Sequence, residues 1–361
     1  MKGRIKRLPD RVCVRRPLRI DLAGGWSDTP PICHEMGGCV LNMAVTLEGK
    51  YPVTAEVRRI PECEVRVKSV DLGRSTVLTR RTEIYGRKTP HDWCALVKSA
   101  LCVTGYSLSD GGLDIRISAD VPKGSGMGTS SILGAALVEA LLKISGLSAD
   151  PTRVAKLTVD LERTMGTGGG WEDQAGALHP GIKLLVTKPG QVQRIGVRRL
   201  GSAATEAFVR VLRERGVLYF TGQKRMARNV LRGVIGFYRK NPEGIAHAII
   251  HALKADARTA FRALQRKDYA TFASVVNAYW RNKKALDPGS TNPKVESIMA
   301  RIAPWAEAAT LVGAGGGGFL FAFAKSGAAK RKIESVLSCA GNGGRCYRFE
   351  VKTEVSGYSA D

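Results

Sequence analysis

Apolar residues recur along this chain with two periods, and the switches between them mark its elements. Residues 12–22 (VCVRRPLRIDL) and 40–59 are rich in Val, Ile and Leu and read as strands, as do 64–70 and 76–80. Residues 91–104 (HDWCALVKSALCVT) read as a helix, and 113–119 (LDIRISA) alternate apolar with polar like a half-buried strand. The run ILGAALVEALLKIS predicts a strong helix, amphipathic to buried. A second helix is predicted over 151–165, with Asp150 as N-cap and Pro151 in its first position. Strands return at 182–187 and 216–220, and helices carried by Ala and Leu dominate 224–285. The end reads strand (309–313), glycine loop, strand (318–324), helix (326–338), strand (346–353).

This order predicts an α+β chain whose last part is a ferredoxin-like α/β sandwich. At 361 residues the chain is about twice the usual single-domain size. Turn signals at Pro189-Gly190 and Gly201-Ser202 put the border near 185–205, giving domains 1–190 and 191–361.

Composition narrows the class. No apolar run approaches the ~20 residues of a membrane helix, and no signal-type stretch follows the basic start, so a cytoplasmic protein without membrane contact is expected. Eight cysteines show no C-x-x-C spacing, which argues against a zinc or dithiol site and for reduced thiols. The net charge of +24 gathers in residues 2–19, 194–240 and 325–352. That pattern suits either a nucleic-acid surface or, more simply, a generally basic proteome or a solvated face that attracts anionic ligands. The absence of any nucleic-acid motif favours the second reading.

The chemistry begins at Pro122-Lys123-Gly124-Ser125-Gly126-Met127-Gly128-Thr129-Ser130-Ser131, between a strand and a helix. Glycines at every second position let backbone N–H groups approach a ligand. The helix N-terminus behind them favours an anion. The loop is neither a Walker A sequence nor G-x-G-x-x-G. Its chemistry suits a triphosphate, with hydroxyls for phosphate oxygens or Mg²⁺; a plain capped glycine turn is the structural alternative.

Two carboxylates follow. Glu162 lies late in the helix 151–165, and Asp173 comes after the turn Gly166-Thr167-Gly168-Gly169-Gly170-Trp171-Glu172. Beside a triphosphate, one acid can hold Mg²⁺ and the other can take the proton of an attacking hydroxyl. Glu172 reads as a surface acid. Upstream, Arg19 sits in a strand from which it can reach a γ-phosphate or Asp173. Trp26 and Asp28 follow a glycine pair, a combination suited to gripping a sugar; core packing is an equal account of Trp26. Near the end, Gly313-Ala314-Gly315-Gly316-Gly317-Gly318 is expected only where backbone passes close to a ligand or to the first glycine loop, a structural hairpin being the alternative.

Together these motifs resemble the GHMP superfamily of small-molecule kinases, whose phosphate motif P-x-x-x-G-L-G-S-S-A is similar to Pro122–Ser131. The runs 21–31 (DLAGGWSDTPP), 167–174 (TGGGWEDQ) and 314–320 (AGGGGFL) look like L-fucose kinase signatures, as does Tyr219-Phe220-Thr221-Gly222 followed by Arg225 and Ala227-Arg228-Asn229. Bacterial heptose kinases are similar, though less so at Trp26 and Pro30-Pro31. The resemblance implies the two-domain GHMP fold, with an N-terminal ribosomal-protein-S5-domain-2-like half and a ferredoxin-like C-terminal half. It implies ATP and Mg²⁺ as cofactors, with 122–131 holding the phosphates and Ser130 and Glu162 the metal. Asp173 would be the catalytic carboxylate with Arg19 beside it, and Trp26, Asp28, Gly170, Gly315 and Gly316 would contact the sugar. The expected reaction forms L-fucose 1-phosphate, the alternatives being a heptose kinase or a non-catalytic relative. Many fucokinases carry a nucleotidyltransferase-like domain as well, for which this chain has no room, and its strong positive charge is not typical of them.

Overall fold

A computed structural model of the chain describes residues 8–86, 92–223, 227–240, 244–339, 343–354 and 358–360. The expected helix start at 91, Arg225, and the basic residues 1–7 lie outside them. So do the side chains of Ala227, Arg228 and Asn229.

The chain runs β1 (Arg11–Arg16), β2 (Leu18–Ala23), α1 (Ile32–Met36), β3 (Cys39–Leu47), β4 (Val53–Ile60), β5 (Val65–Ser69), β6 (Arg74–Leu78), α2 (Arg81–Tyr85), α3 (Ala95–Thr104), β7 (Gly112–Ala119), α4 (Thr129–Ile144), α5 (Pro151–Met165), α6 (Glu172–Leu178), β8 (Ile182–Val186), β9 (Gly196–Arg199) and α7 (Ser202–Arg215). It continues through β10 (Gly216–Phe220), α8 (Ala227–Lys240), α9 (Ile245–Gln265), α10 (Tyr269–Leu286), α11 (Pro293–Ile302), β11 (Ala306–Leu311), β12 (Phe319–Ala324), α12 (Gly327–Ser338), β13 (Arg345–Tyr347), β14 (Phe349–Val351) and β15 (Tyr358–Ala360).

One sheet has the order β15-β1-β4-β7-β5-β6, a second β14-β3-β8-β9 with β2 also on β3, and a third β11-β12-β10-β13. The expected strand 12–22 is two strands in two sheets. Pro17 lacks an N–H and cannot continue a ladder, so β1 pairs with β4 while β2 turns onto β3. The expected strand 346–353 divides likewise, into β13 beside β10 and β14 beside β3.

Helix α4 is buried along nearly its whole length, as its apolar sequence predicts. Asp150 caps α5 by accepting the Arg153 N–H at 3.0 Å, with Pro151 behind it. Strand β12 is covered on both faces, which is why it reads as continuously apolar. Phe319, Phe321 and Phe323 face the main core, and Leu320, Ala322 and Ala324 face a smaller one with α11 and α12.

Candidate active site

Strand β2 is buried throughout, yet it carries Arg19 and Asp21. Buried charges need partners. Arg19 Nε and Nη2 donate to Asp173 Oδ1 at 2.8 and 2.6 Å. Its Nη1 donates to Gly126 O at 2.9 Å and Asp21 Oδ1 at 3.2 Å. Its Nε also lies 3.0 Å from Glu172 Oε1, an ion pair without hydrogen-bond alignment. Burial alone would loosen the Arg19 proton, but Asp173, Glu172 and Asp21 bind it more tightly than usual. Asp21 in turn accepts from the Tyr279 hydroxyl and the Gly313 N–H, both at 2.6 Å. Burial opposes its charge, yet Lys283, Arg19 and these two donors hold its carboxyl below the usual range.

Arg19 therefore joins three segments: the first glycine loop, α6 and, through Asp21, the second glycine run. The two glycine loops touch backbone to backbone. A Cβ on Gly313 would collide with Gly126 O, and the Phe319 N–H donates to Ser125 O at 2.9 Å. This close approach is the reason for the second run's permissive sequence.

Gly128 is the N-cap of α4, in left-handed backbone at φ 71°, and no side chain caps the helix there. Its first-turn N–H groups are left for an anion. A Cβ at Gly128 would sit 2.5 Å from Asp173 Cγ, so only glycine lets the helix end approach that acid. The adjoining cleft of about 350 Å³ is lined by Gly124, Ser125, Gly126, Gly128, Thr129, Ser130, Ser131 and the acids Asp28, Glu162, Glu172 and Asp173.

Glu162 and Asp173 converge on one hydroxyl. Ser131 Oγ donates to Glu162 Oε1 and lies 3.5 Å from Asp173 Oδ2. Burial pushes the Glu162 carboxyl up to about 8, with the charges of Asp173 and Asp28 adding to it and the Ser131 hydroxyl opposing. Its Oε2 is buried without a partner. Asp28 accepts the Glu172 N–H at 3.0 Å, and burial above all pushes its carboxyl up to about 6.

Most residues singled out from the sequence meet at this cleft, including Arg19, Trp26, Asp28, Gly170 and Gly315. Trp26 packs in the core as well as lining the cleft. Pro122 and Lys123 lie outside the lining, and Met127 is fully buried. Gly316 is turned away: its N–H donates to Ser290 O at 2.5 Å and its carbonyl accepts from Asn292. Ser130 is exposed at the cleft, whereas Ser131 is the serine that touches Glu162. Glu172 is not a surface acid. It begins α6, a helix not foreseen behind the glycine turn, and burial raises its carboxyl well above the usual range. Sequence reasoning missed Tyr279 and Lys283. The available signal was a lysine on the apolar stripe Val276, Tyr279, Trp280 and Leu286 of α10.

Among the described residues, no three His, Cys, Asp or Glu side chains could cage a metal. A hard cation shared by one carboxylate, a hydroxyl and phosphate oxygens needs no cage, and the unpartnered Glu162 Oε2 fits that chemistry.

A family model described as GHMP kinases N terminal domain matches residues 95–181, and one described as GHMP kinases C terminal matches 260–343. A D-glycero-alpha-D-manno-heptose 7-phosphate kinase from Campylobacter jejuni is 30% identical over 324 residues, covering 85% of this chain and 87% of that protein. The chain belongs to the GHMP kinase family. A bifunctional fucokinase/GDP-fucose pyrophosphorylase from Arabidopsis thaliana is 38% identical over 336 residues, which is 91% of this chain. The chain spans 31% of that relative's length. The crystal structure of a D-glycero-D-manno-heptose 1-phosphate kinase from Bacteriodes thetaiotaomicron shares the fold, with a TM-score of 0.73 at 21% identity over 97% of this chain and 98% of that one. Among the described residues no helix is long and apolar enough to cross a membrane.

Proposed function

We propose that this GHMP kinase phosphorylates the anomeric hydroxyl of L-fucose, giving L-fucose 1-phosphate and ADP. The observation that carries the reading is the Asp173 carboxylate, gripped by Arg19 directly beside the uncapped N-terminus of α4. The sugar oxygen would attack the γ-phosphorus in line. Its new bond to phosphorus forms as the bond to the β,γ-bridging oxygen breaks, ADP leaves, and the hydroxyl proton passes to Asp173. Arg19 orients that carboxylate. The N–H groups at the start of α4 stabilise charge on the transferring phosphoryl. Glu162, with a hydroxyl of Ser130 or Ser131, would hold Mg²⁺, which neutralises phosphate charge when bound. Asp28 would accept from sugar hydroxyls, with Trp26 and Gly170 shaping the space around the ring.

A heptose phosphate is the second reading, favoured by the match across most of the Campylobacter relative. The lining argues for an uncharged acceptor instead: the acids Asp28 and Asp173 line the cleft, and Arg19 is already paired with Asp173 and Asp21. A second phosphate there would meet like charge. ADP release from ATP across a panel of L-fucose, other free sugars and heptose phosphates separates the readings, and NMR of the product identifies the phosphorylated oxygen. Turnover of a heptose phosphate but not of L-fucose would reverse the assignment. A non-catalytic relative would release ADP with none of them.

A further inference from the structure

The chemistry proposed above uses Arg19 and Asp173 and leaves a buried cation behind them without a task. Lys283 is fully buried on α10. Its Nζ donates to Leu311 O at 2.9 Å and to Gly313 O, and lies 3.6 Å from Asp21 Oδ2. We propose that Lys283 is a positioning residue: together with Tyr279 it clamps Asp21 and the second glycine run, and thereby fixes the aim of Arg19 at Asp173. The inference rests on the reading that Arg19 and Asp173 serve phosphoryl transfer.

Three observations carry it. The contacts form an unbroken chain from Lys283 to Asp21, from Asp21 to Arg19, and from Arg19 to Asp173. The chain also spans the molecule's halves, since Asp21 lies on β2 while Lys283 and Tyr279 come from α10 and Gly313 follows β11. Finally, Lys283 is a poor choice for stability alone. Its neighbours on the helix stripe are Val276, Tyr279, Trp280 and Leu286, and apolar side chains in place of both Lys283 and Asp21 would avoid the desolvation of two buried charges. Burial weakens its hold on its proton, and the charges of Asp21 and Glu172 oppose that loss.

Without the ammonium, Asp21 keeps Arg19 as its only nearby cation among the described residues. Arg19 is then drawn toward Asp21 and away from Asp173. The carbonyls of Leu311 and Gly313 lose their shared donor, which loosens the loop that presses on Gly126.

The experiment compares wild type with Lys283→Met, which keeps length and removes charge, by steady-state kinetics on the acceptor found in the sugar panel and by thermal melting. The expected result is a kcat lowered roughly 10- to 100-fold, the scale of sub-ångström misplacement of catalytic groups. KM for ATP and sugar should stay within about threefold, while the melting temperature should fall, because the Asp21 charge and two buried carbonyls lose a partner. The double variant with Asp21→Asn should be no slower than the slower single variant, because both act through Arg19. A merely structural lysine lowers the melting temperature but leaves kcat per folded molecule normal, and that result overturns the proposal. Should Lys283→Met fail to fold, Tyr279→Phe decides: it removes one hydroxyl from Asp21, and an unchanged kcat refutes the clamp. A wild type inactive on every sugar would strike the sugar reading only; the same variants are then compared by intrinsic ATP hydrolysis.

Discussion

Replacing Gly128 by alanine tests the junction between the phosphate loop and the catalytic acid. The added methyl would sit 2.5 Å from Asp173 Cγ, 2.6 Å from its Oδ1 and 2.8 Å from its Cβ. Ordinary contact begins about 1 Å farther out, so the carboxylate or the helix start must move by roughly that much. A displacement of about 1 Å in a catalytic group can lower turnover roughly 100-fold. Gly128 also has φ 71°, which costs an L-residue about 1–2 kcal/mol whatever its neighbours. Gly105 separates the two effects. It has φ 72° at the end of α3, with nothing within 4 Å of its would-be Cβ. Both Gly128→Ala and Gly105→Ala should lower the melting temperature by a few degrees. Only Gly128→Ala should lose kcat, measured as initial ADP release. Equal kcat in the two variants would refute the argument that α4 and Asp173 are in working contact.

Asp173→Asn should lower kcat by about 10²–10⁴-fold while ATP binding, read by calorimetry, changes little. Near-normal turnover would remove Asp173 from the mechanism. Glu172→Gln should preserve melting temperature and fold, because burial already favours the neutral carboxyl, whereas Glu172→Arg should prevent folding as judged by circular dichroism. Glu162 predicts a pH dependence. Its folded carboxyl titrates at about 8 against an ordinary value of 4.5, so between those values the folded state holds a proton that the unfolded state has released. Stability of the ligand-free protein should therefore fall as pH rises from about 5 to 8, by at most about 1.4 kcal/mol per pH unit from this group. Glu162→Gln should flatten that slope in urea titrations, and an unaltered slope would show that Glu162 titrates normally.

The elements with strong local signals were legible. Helix α5 follows from its Asp-Pro start, α4 from its apolar run, and the contact between the glycine loops from the cost of so many glycines in one place. Asp173 and Arg19 were legible as partners because each is a charge placed among residues that make sense only near a ligand. What the sequence hid was tertiary. Glu172 looks like any acid beside a polar turn until α6 folds it under Arg19. Nothing in residues 12–22 except Pro17 reveals that the two ends of that stretch join different sheets. The choice of Ser131 over Ser130 beside Glu162 depends on helical phase at the first turn of α4, where one residue rotates a side chain by about 100°. Lys283 was visible only as a misfit on an apolar stripe, a signal that requires the helix phase to be fixed first.

The last strands of the chain give the molecule a particular order of assembly. Strand β14 pairs with β3, and β15 with β1, although hundreds of residues separate each pair in sequence. During synthesis the first half therefore waits with two ladders unfinished until residues 349–360 leave the ribosome. Those open edges are the kind that recruit other strands, so the chain is exposed to mispairing until those ladders close. Shortening the chain by even these few residues would leave the same edges open in the finished protein, a vulnerability far removed from the chemistry.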